Sequence, residues 1–299
     1  MVIALTLSES GLWFLRKLFV LLKQKYQKLI QYLLVFGALL INTAHQVGAS
    51  EKKASNNSGI VSTNLCIDSL VVALIGTKNL VAVSALADDD RYSHISEEVK
   101  DLQKVAFNAE MIYALDPSLV LASNFSSAKT KSALEKLGVN VSLISFARSV
   151  EDIEKNIFIL GKLLNAESQA QELTSLLKSP RIKAKHVKQL IALQYSTNRF
   201  VHGHNSLISS IIRRSGFKSY SEFLGYNEGR YISAEALVKS APDVLILDGD
   251  KSFSNKSGST LYHPALLKGT NKTKALFIET KHWSCGTPKV VDLITRLSS

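Results

Sequence analysis

From residue 60 onward, short apolar runs alternate with longer stretches in which apolar side chains return every third or fourth position. The first pattern predicts buried strands and the second amphipathic helices. Ile60–Asn64 reads as a strand, Asp68–Leu74 as a helix running into Gly76, and Val81–Ser84 as a second strand that ends in the polar loop Asp88–Tyr92. A helix over Lys129–Leu137, closed by Gly138, leads into a strand over Val139–Ile144. From Ser149, with Asp152 three positions on as a helix start, apolar residues from Ile153 to Leu177 keep helical spacing up to Ser179-Pro180. At 1.5 Å rise per residue this predicts one rigid helix about 40 Å long. Beyond it come a strand at Gln189–Gln194, a helix at Leu207–Arg214 closed by Gly216, a strand at Ala275–Glu279 and a last helix at Lys289–Leu297. Alternation of this kind predicts an α/β fold with parallel sheets.

One segment occurs twice. Asn108-Ala109-Glu110 begins a short helix, Pro117 follows the Glu by seven positions, and an apolar run closes the unit; Ser233-Ala234-Glu235, Pro242 and Val244–Ile246 repeat it. The residue before a proline is pushed out of the α region, so each short helix ends there. A chance match of a common helix–proline–strand unit is the competing explanation, but Glu, Pro and strand all coincide. The repeat predicts two Rossmann-like lobes with parallel sheets, joined by the long helix, with a ligand cleft between them. The boundaries are a signal segment at 1–49, a flexible lead-in at 50–57, a first lobe at 58–147, the linker at 148–179, a second lobe at 180–282, and a C-terminal segment and helix at 283–299 that pack back towards the first lobe.

Composition narrows the class. With 299 residues, 46% of them hydrophobic and 20% charged, the chain has enough apolar surface for one large or two medium cores. The net charge of +11 does not form an aromatic-interleaved basic stripe, and part of it sits in Arg16, Lys17, Lys23, Lys25 and Lys28. No nucleic-acid partner is expected. Those basic residues precede the apolar run Leu29–Ile41 and the small-residue end Val47-Gly48-Ala49, the layout of an export signal cleaved after Ala49. The earlier apolar piece Leu12–Leu22 leaves a start further along the chain, a retained membrane anchor or a core helix as alternatives.

The two lobes, the linking helix and the Ala-Glu-x-Ile-x-Ala-Leu-x-Pro-x-Leu-Val pattern together resemble the periplasmic binding proteins that serve ABC importers of ferric siderophores, haem and vitamin B12. Ser62–Asp68, Val83-Ser84, Leu193-Gln194-Tyr195, Tyr262–Leu266 and Trp283–Pro288 match in order and spacing. The resemblance implies a monomeric periplasmic protein that captures a small-molecule metal chelate, a ferric siderophore or cobalamin first and haem third, and delivers it to an inner-membrane ABC permease. It also implies that Glu110 and Glu235 pair with arginines on that permease; capping of their own helices is the plainer role of both.

Ligands of α/β sheets lie beyond the C-terminal strand ends. That rule selects Asn64, Arg91, Tyr92, Asn124, Phe125, Tyr195, His202, His204, Arg230, Tyr231 and Trp283, aromatics and arginines suited to a flat or anionic chelate. His202 and His204 could contact a chelate, hold a bare Zn or Mn ion, or be structural; His94, His263 and His282 supply no metal-ligand spacing. No dinucleotide, phosphate-loop or nucleophile-elbow motif is present, so neither a catalytic residue nor a cofactor is expected. A secreted α/β enzyme is the alternative of another class. In an exported chain, Cys66 and Cys285 are expected to form a disulfide, with free thiols or a thiolate contact to the ligand's metal as competitors.

Overall fold

The computed structural model describes residues 59–178, 189–196, 199–248 and 273–298, together with Lys17, Val20, Lys23, Tyr26 and Gln27. The chain forms two compact units, residues 1–54 and 55–299, and both lobes lie in the second. The export signal, the lead-in, the start of the second lobe and Tyr262–Leu266 fall outside the described residues or nearly so. Among the described residues no helix is long and apolar enough to cross a membrane.

In the first lobe the order is β1 (Ile60–Ser62), α1 (Leu65–Ile75), β2 (Leu80–Ser84), α2 (Ser96–Val99), β3 (Gln103–Val105), α3 (Ala109–Ala114), β4 (Leu119–Ser123), α4 (Ala128–Lys136) and β5 (Val141–Ile144). Its sheet is parallel, in the order β3-β2-β1-β4-β5. Val61, Ala82, Val120 and Leu121 are fully buried, as apolar residues must be in a sheet covered on both faces. The first strand is shorter than its apolar pattern because Asn64 turns the chain into α1. Its side-chain carbonyl accepts the amides of Cys66 and Ile67, and the helix starts three residues earlier than predicted.

The second lobe contains β6 (Ile191–Tyr195), β7 (Phe200–Val201), α7 (Leu207–Arg214), β8 (Lys218–Ser219), α8 (Tyr220–Phe223), β9 (Arg230–Tyr231), α9 (Ala234–Lys239), β10 (Val244–Asp248), β11 (Lys274–Ile278), α10 (Lys281–Ser284) and α11 (Val290–Ser298). Its parallel sheet runs β11-β10-β6-β8, and β7 and β9 form a separate antiparallel pair. The repeated segment becomes α3–β4 in one lobe and α9–β10 in the other. Asn108 and Ser233 cap the two helices, and each strand lies beside the first strand of its own lobe.

Between the lobes the predicted single helix is two helices, α5 (Val150–Leu163) and α6 (Glu167–Leu177). Asn165 adopts a left-handed conformation with φ of 52°, and the Ala166 amide reaches back to the Gly161 carbonyl at 2.8 Å. The helices then fold onto each other so closely that a Cβ on Gly161 would lie 2.6 Å from that of Ala170. The apolar spacing carries on through this corner because both helices bury a stripe: Ile153, Ile157 and Leu160 from one, Ala170 and Leu177 from the other. These residues belong to one hydrophobic core that also takes in Leu70, Ile144, Ile211, Ile246 and Leu293, so it crosses from lobe to lobe.

The last helix, α11, follows the disulfide-bonded segment. It packs mainly on α7 of the second lobe, and Ser298 Oγ donates to the Ser215 carbonyl at 3.3 Å. The residues before it and its first turn also face the first lobe, where Val291 and Asp292 share a pocket wall with Ser69, Val72 and His94. There Cys285 is joined to Cys66 by a disulfide with Cα atoms 4.9 Å apart, and a Cβ on Gly286 would lie 2.9 Å from that of Ala147.

Candidate functional site

Strand ends from both lobes meet at a cavity of about 260 Å³. Phe146, two residues beyond β5, enters from the first lobe. Gln194 and Ser196 at the end of β6, Asp248 at the end of β10, and Thr280, Trp283 and Ser284 after β11 come from the second. His202, just past β7, and Ser206, Leu207 and Ile208 at the start of α7 complete the wall. A smaller recess of about 30 Å³ adjoins it through Phe146 and is lined by Asn64, Cys66, Ser123 and Gly286.

The walls have distinct chemistry. Burial pushes the His202 imidazole below the usual histidine range, so it is neutral near pH 7, and its ring meets Phe200 edge-on at 5.0 Å between centroids. A neutral imidazole keeps a nitrogen lone pair for a metal. Burial pushes the Asp248 carboxyl up, and Gln194 Nε2 donates to its Oδ1 at 2.8 Å. Gln194 Oε1 and the indole Nε1 of Trp283 are buried without a hydrogen-bond partner among the described residues. Both residues line the cavity, but these two atoms are buried behind its surface. On the first-lobe side, Phe125 and Phe146 are 71% and 51% exposed, with ring centroids 6.1 Å apart in an edge contact. Two adjoining exposed phenylalanines offer apolar area to a flat ligand.

Of the residues selected from the sequence, His202 and Trp283 line the main cavity, and Asn64 lines the recess. Asn124 acts at one remove, its Oδ1 accepting the Phe146 amide at 3.3 Å. Tyr195 is a correction. It is fully buried in the second-lobe core and its hydroxyl donates to the Ile232 carbonyl at 2.8 Å. His204 lies off this cavity wall: its Nδ1 faces Arg213 Nη1 at 3.2 Å, and Arg213 also donates to the His204 carbonyl. Arg91 is tied to Asp89 and lies over the Tyr92 ring, whereas Arg230 stacks on Tyr226 at 3.5 Å and Tyr231 packs against Phe200. None of these four lines the cavity.

Phe146, Gln194 and Asp248 were missed from the sequence, although the strand-end rule that selected Asn64 and Phe125 applies equally to them. Among the described residues, no cluster of three or more His, Cys, Asp or Glu side chains could hold a bare metal ion.

A model of the family described as periplasmic binding protein matches residues 60–279. The chain belongs to the periplasmic binding protein family. Among curated relatives it is 26% identical over 174 residues to the uncharacterized ABC transporter substrate-binding lipoprotein YvrC of Bacillus subtilis, covering 52% of this chain and 54% of that one. The chain thus spans about half the length of that relative. It is 23% identical over 235 residues to the high-affinity heme uptake system protein IsdE of Staphylococcus aureus, covering 73% and 77%. Solved structures share the fold. The periplasmic heme binding protein HutB of Vibrio cholerae has a TM-score of 0.66 at 19% identity, covering 81% of this chain and 98% of that one. The periplasmic vitamin B12 binding protein BtuF of the same organism has a TM-score of 0.62 at 17% identity, covering 81% and 95%. In this family member the repeated Glu110 and Glu235 are exposed, each in the first turn of its short helix.

Proposed function

We propose that this periplasmic binding protein captures a haem-type iron chelate in the inter-lobe cavity and passes it, chemically unchanged, to the permease of an ABC importer. The observation that carries this reading is His202, a neutral imidazole on the wall of a cavity faced by Phe146 and Trp283. Iron in a haem plane takes an axial imidazole, and the porphyrin faces need apolar area. The similarity to a protein named for heme uptake supports the same ligand class. Ferric siderophores and cobalamin, which the sequence ranked ahead of haem, are the competing ligands. Titration with haemin, cyanocobalamin and a panel of ferric siderophores tests the choice. Haemin is expected to saturate at one equivalent with a shifted Soret band; sub-micromolar binding of only a siderophore or the corrinoid overturns it.

The protein would work outside the cytoplasmic membrane, exported by its first 49 residues or held by them as an anchor. Glu110 and Glu235 would contact the permease, one from each lobe. Both are exposed and neither belongs to the cavity wall. Reversing both charges is expected to abolish uptake in cells while leaving ligand affinity within about twofold, because exposed charges act on partner association. Loss of ligand binding, or unchanged uptake, contradicts the docking role.

A further inference from the structure

The segment from Thr280 to Thr287 leaves the second lobe after β11 and returns to it at α11, and between those points it is fastened to the first lobe. The disulfide ties Cys285 to Cys66. Ser284 Oγ donates to the Tyr92 carbonyl at 3.0 Å, and His282 lies against His94 with ring centroids 5.0 Å apart. The residues so fastened are also the site. Trp283 and Ser284, adjacent to Cys285, line the main cavity; Cys66 and Gly286 line the recess next to it, and Phe146 lines both. Of these ties only the disulfide is covalent; an exposed or half-buried hydrogen bond and a tilted ring contact hold far less firmly.

We infer that the Cys66–Cys285 disulfide is a positioning element of the ligand site: it holds the Trp283 wall at a fixed place against the Phe146 wall. The disulfide borders the recess beside the main cavity, so opening it loosens the binding surface. Its effect on affinity rests on the cavity being the chelate site, whereas its effect on Trp283 does not. This separates the two ideas experimentally.

The test uses the full chain with Trp13→Phe, which leaves Trp283 as the sole indole. Cys66→Ser/Cys285→Ser is compared with the disulfide-bonded protein by far-ultraviolet circular dichroism, acrylamide quenching of Trp283 and haemin titration. The expected result is unchanged helical signal, at least a doubled quenching constant, and haemin affinity weakened by about tenfold through faster release. A lowered melting temperature with unchanged quenching and affinity overturns the inference, because the bond then only stabilises the fold. If haemin does not bind the disulfide-bonded protein, the ligand assignment fails and the quenching comparison alone decides the clamp. Should the double variant not fold, a water-soluble phosphine reduces the folded protein. Phosphorus supplies two electrons to the S–S bond and takes the oxygen of water, whose two protons leave both cysteines as thiols. Raised quenching with helical signal retained supports the clamp. Unchanged quenching, or collapse of the helical signal, overturns it.

Discussion

Asp68 is a carboxylic acid with no exposure to solvent, one turn into α1 and facing Ser62 and Ser84. Burial raises its pKa to about 6, against the opposing hydrogen bonds that the Ser84 amide and hydroxyl donate to its Oδ2. In the unfolded chain the group titrates near 3.8. Between these values the native state binds more protons than the unfolded one, so this residue makes the fold more stable as pH falls from 6 towards 4 and less stable as it rises. The difference integrates to about 3 kcal/mol. Asp68→Asn is expected to gain stability relative to the parent by about this amount between pH 4 and pH 7 in urea titrations, and a difference independent of pH contradicts the assignment. Other site residues show what sequence can give at this scale. The strand-end rule found His202 and Trp283 but could not tell Gln194 from Tyr195, adjacent at the end of β6. Side chains alternate across a strand, so one faces the cavity and the other joins Leu193 in the core. The contact of His204 with Arg213 was not legible either, since Arg213 lies nine residues on and meets it through the fold of α7.

At the scale of elements, the apolar periods predicted the main strands and helices, the two repeated units and the parallel pairing. They missed β3, β7, β8 and β9, two or three residues each, because a run that short has no period. The connector was misread because a buried stripe continues across the corner. Asn165 and Gly161 were the available signals: asparagine tolerates left-handed backbone, and glycine permits close helix approach. Gly161 gives the sharpest check. Gly161→Ala places a methyl 2.6 Å from the Ala170 side chain, so α5 and α6 must separate. Helix propensity favours alanine by about 1 kcal/mol, and overpacking disfavours it by about 1–3 kcal/mol. A net loss of stability is expected in chemical denaturation, larger for Gly161→Val. A stabilised Gly161→Ala protein contradicts the close-packed corner.

For the molecule as a whole, a core shared between the lobes and a covalent tie beside the cavity join the walls of the proposed site. Walls joined in this way lose little conformational freedom on binding, which would suit the proposed capture of a rigid chelate. The lobes and the cleft were legible in the sequence through the repeat and the family resemblance. The ligand was not, because cavity dimensions depend on which strand-end side chains turn inward. The most direct measurement is a Soret-band titration of haemin into the full-length protein and into His202→Ala side by side. The native protein should saturate at one equivalent with an imidazole-ligated ferric spectrum, and the variant should lose that spectrum and bind at least about tenfold more weakly, a difference of about 1.4 kcal/mol. Identical spectra and affinities for the two proteins would contradict a site built around His202.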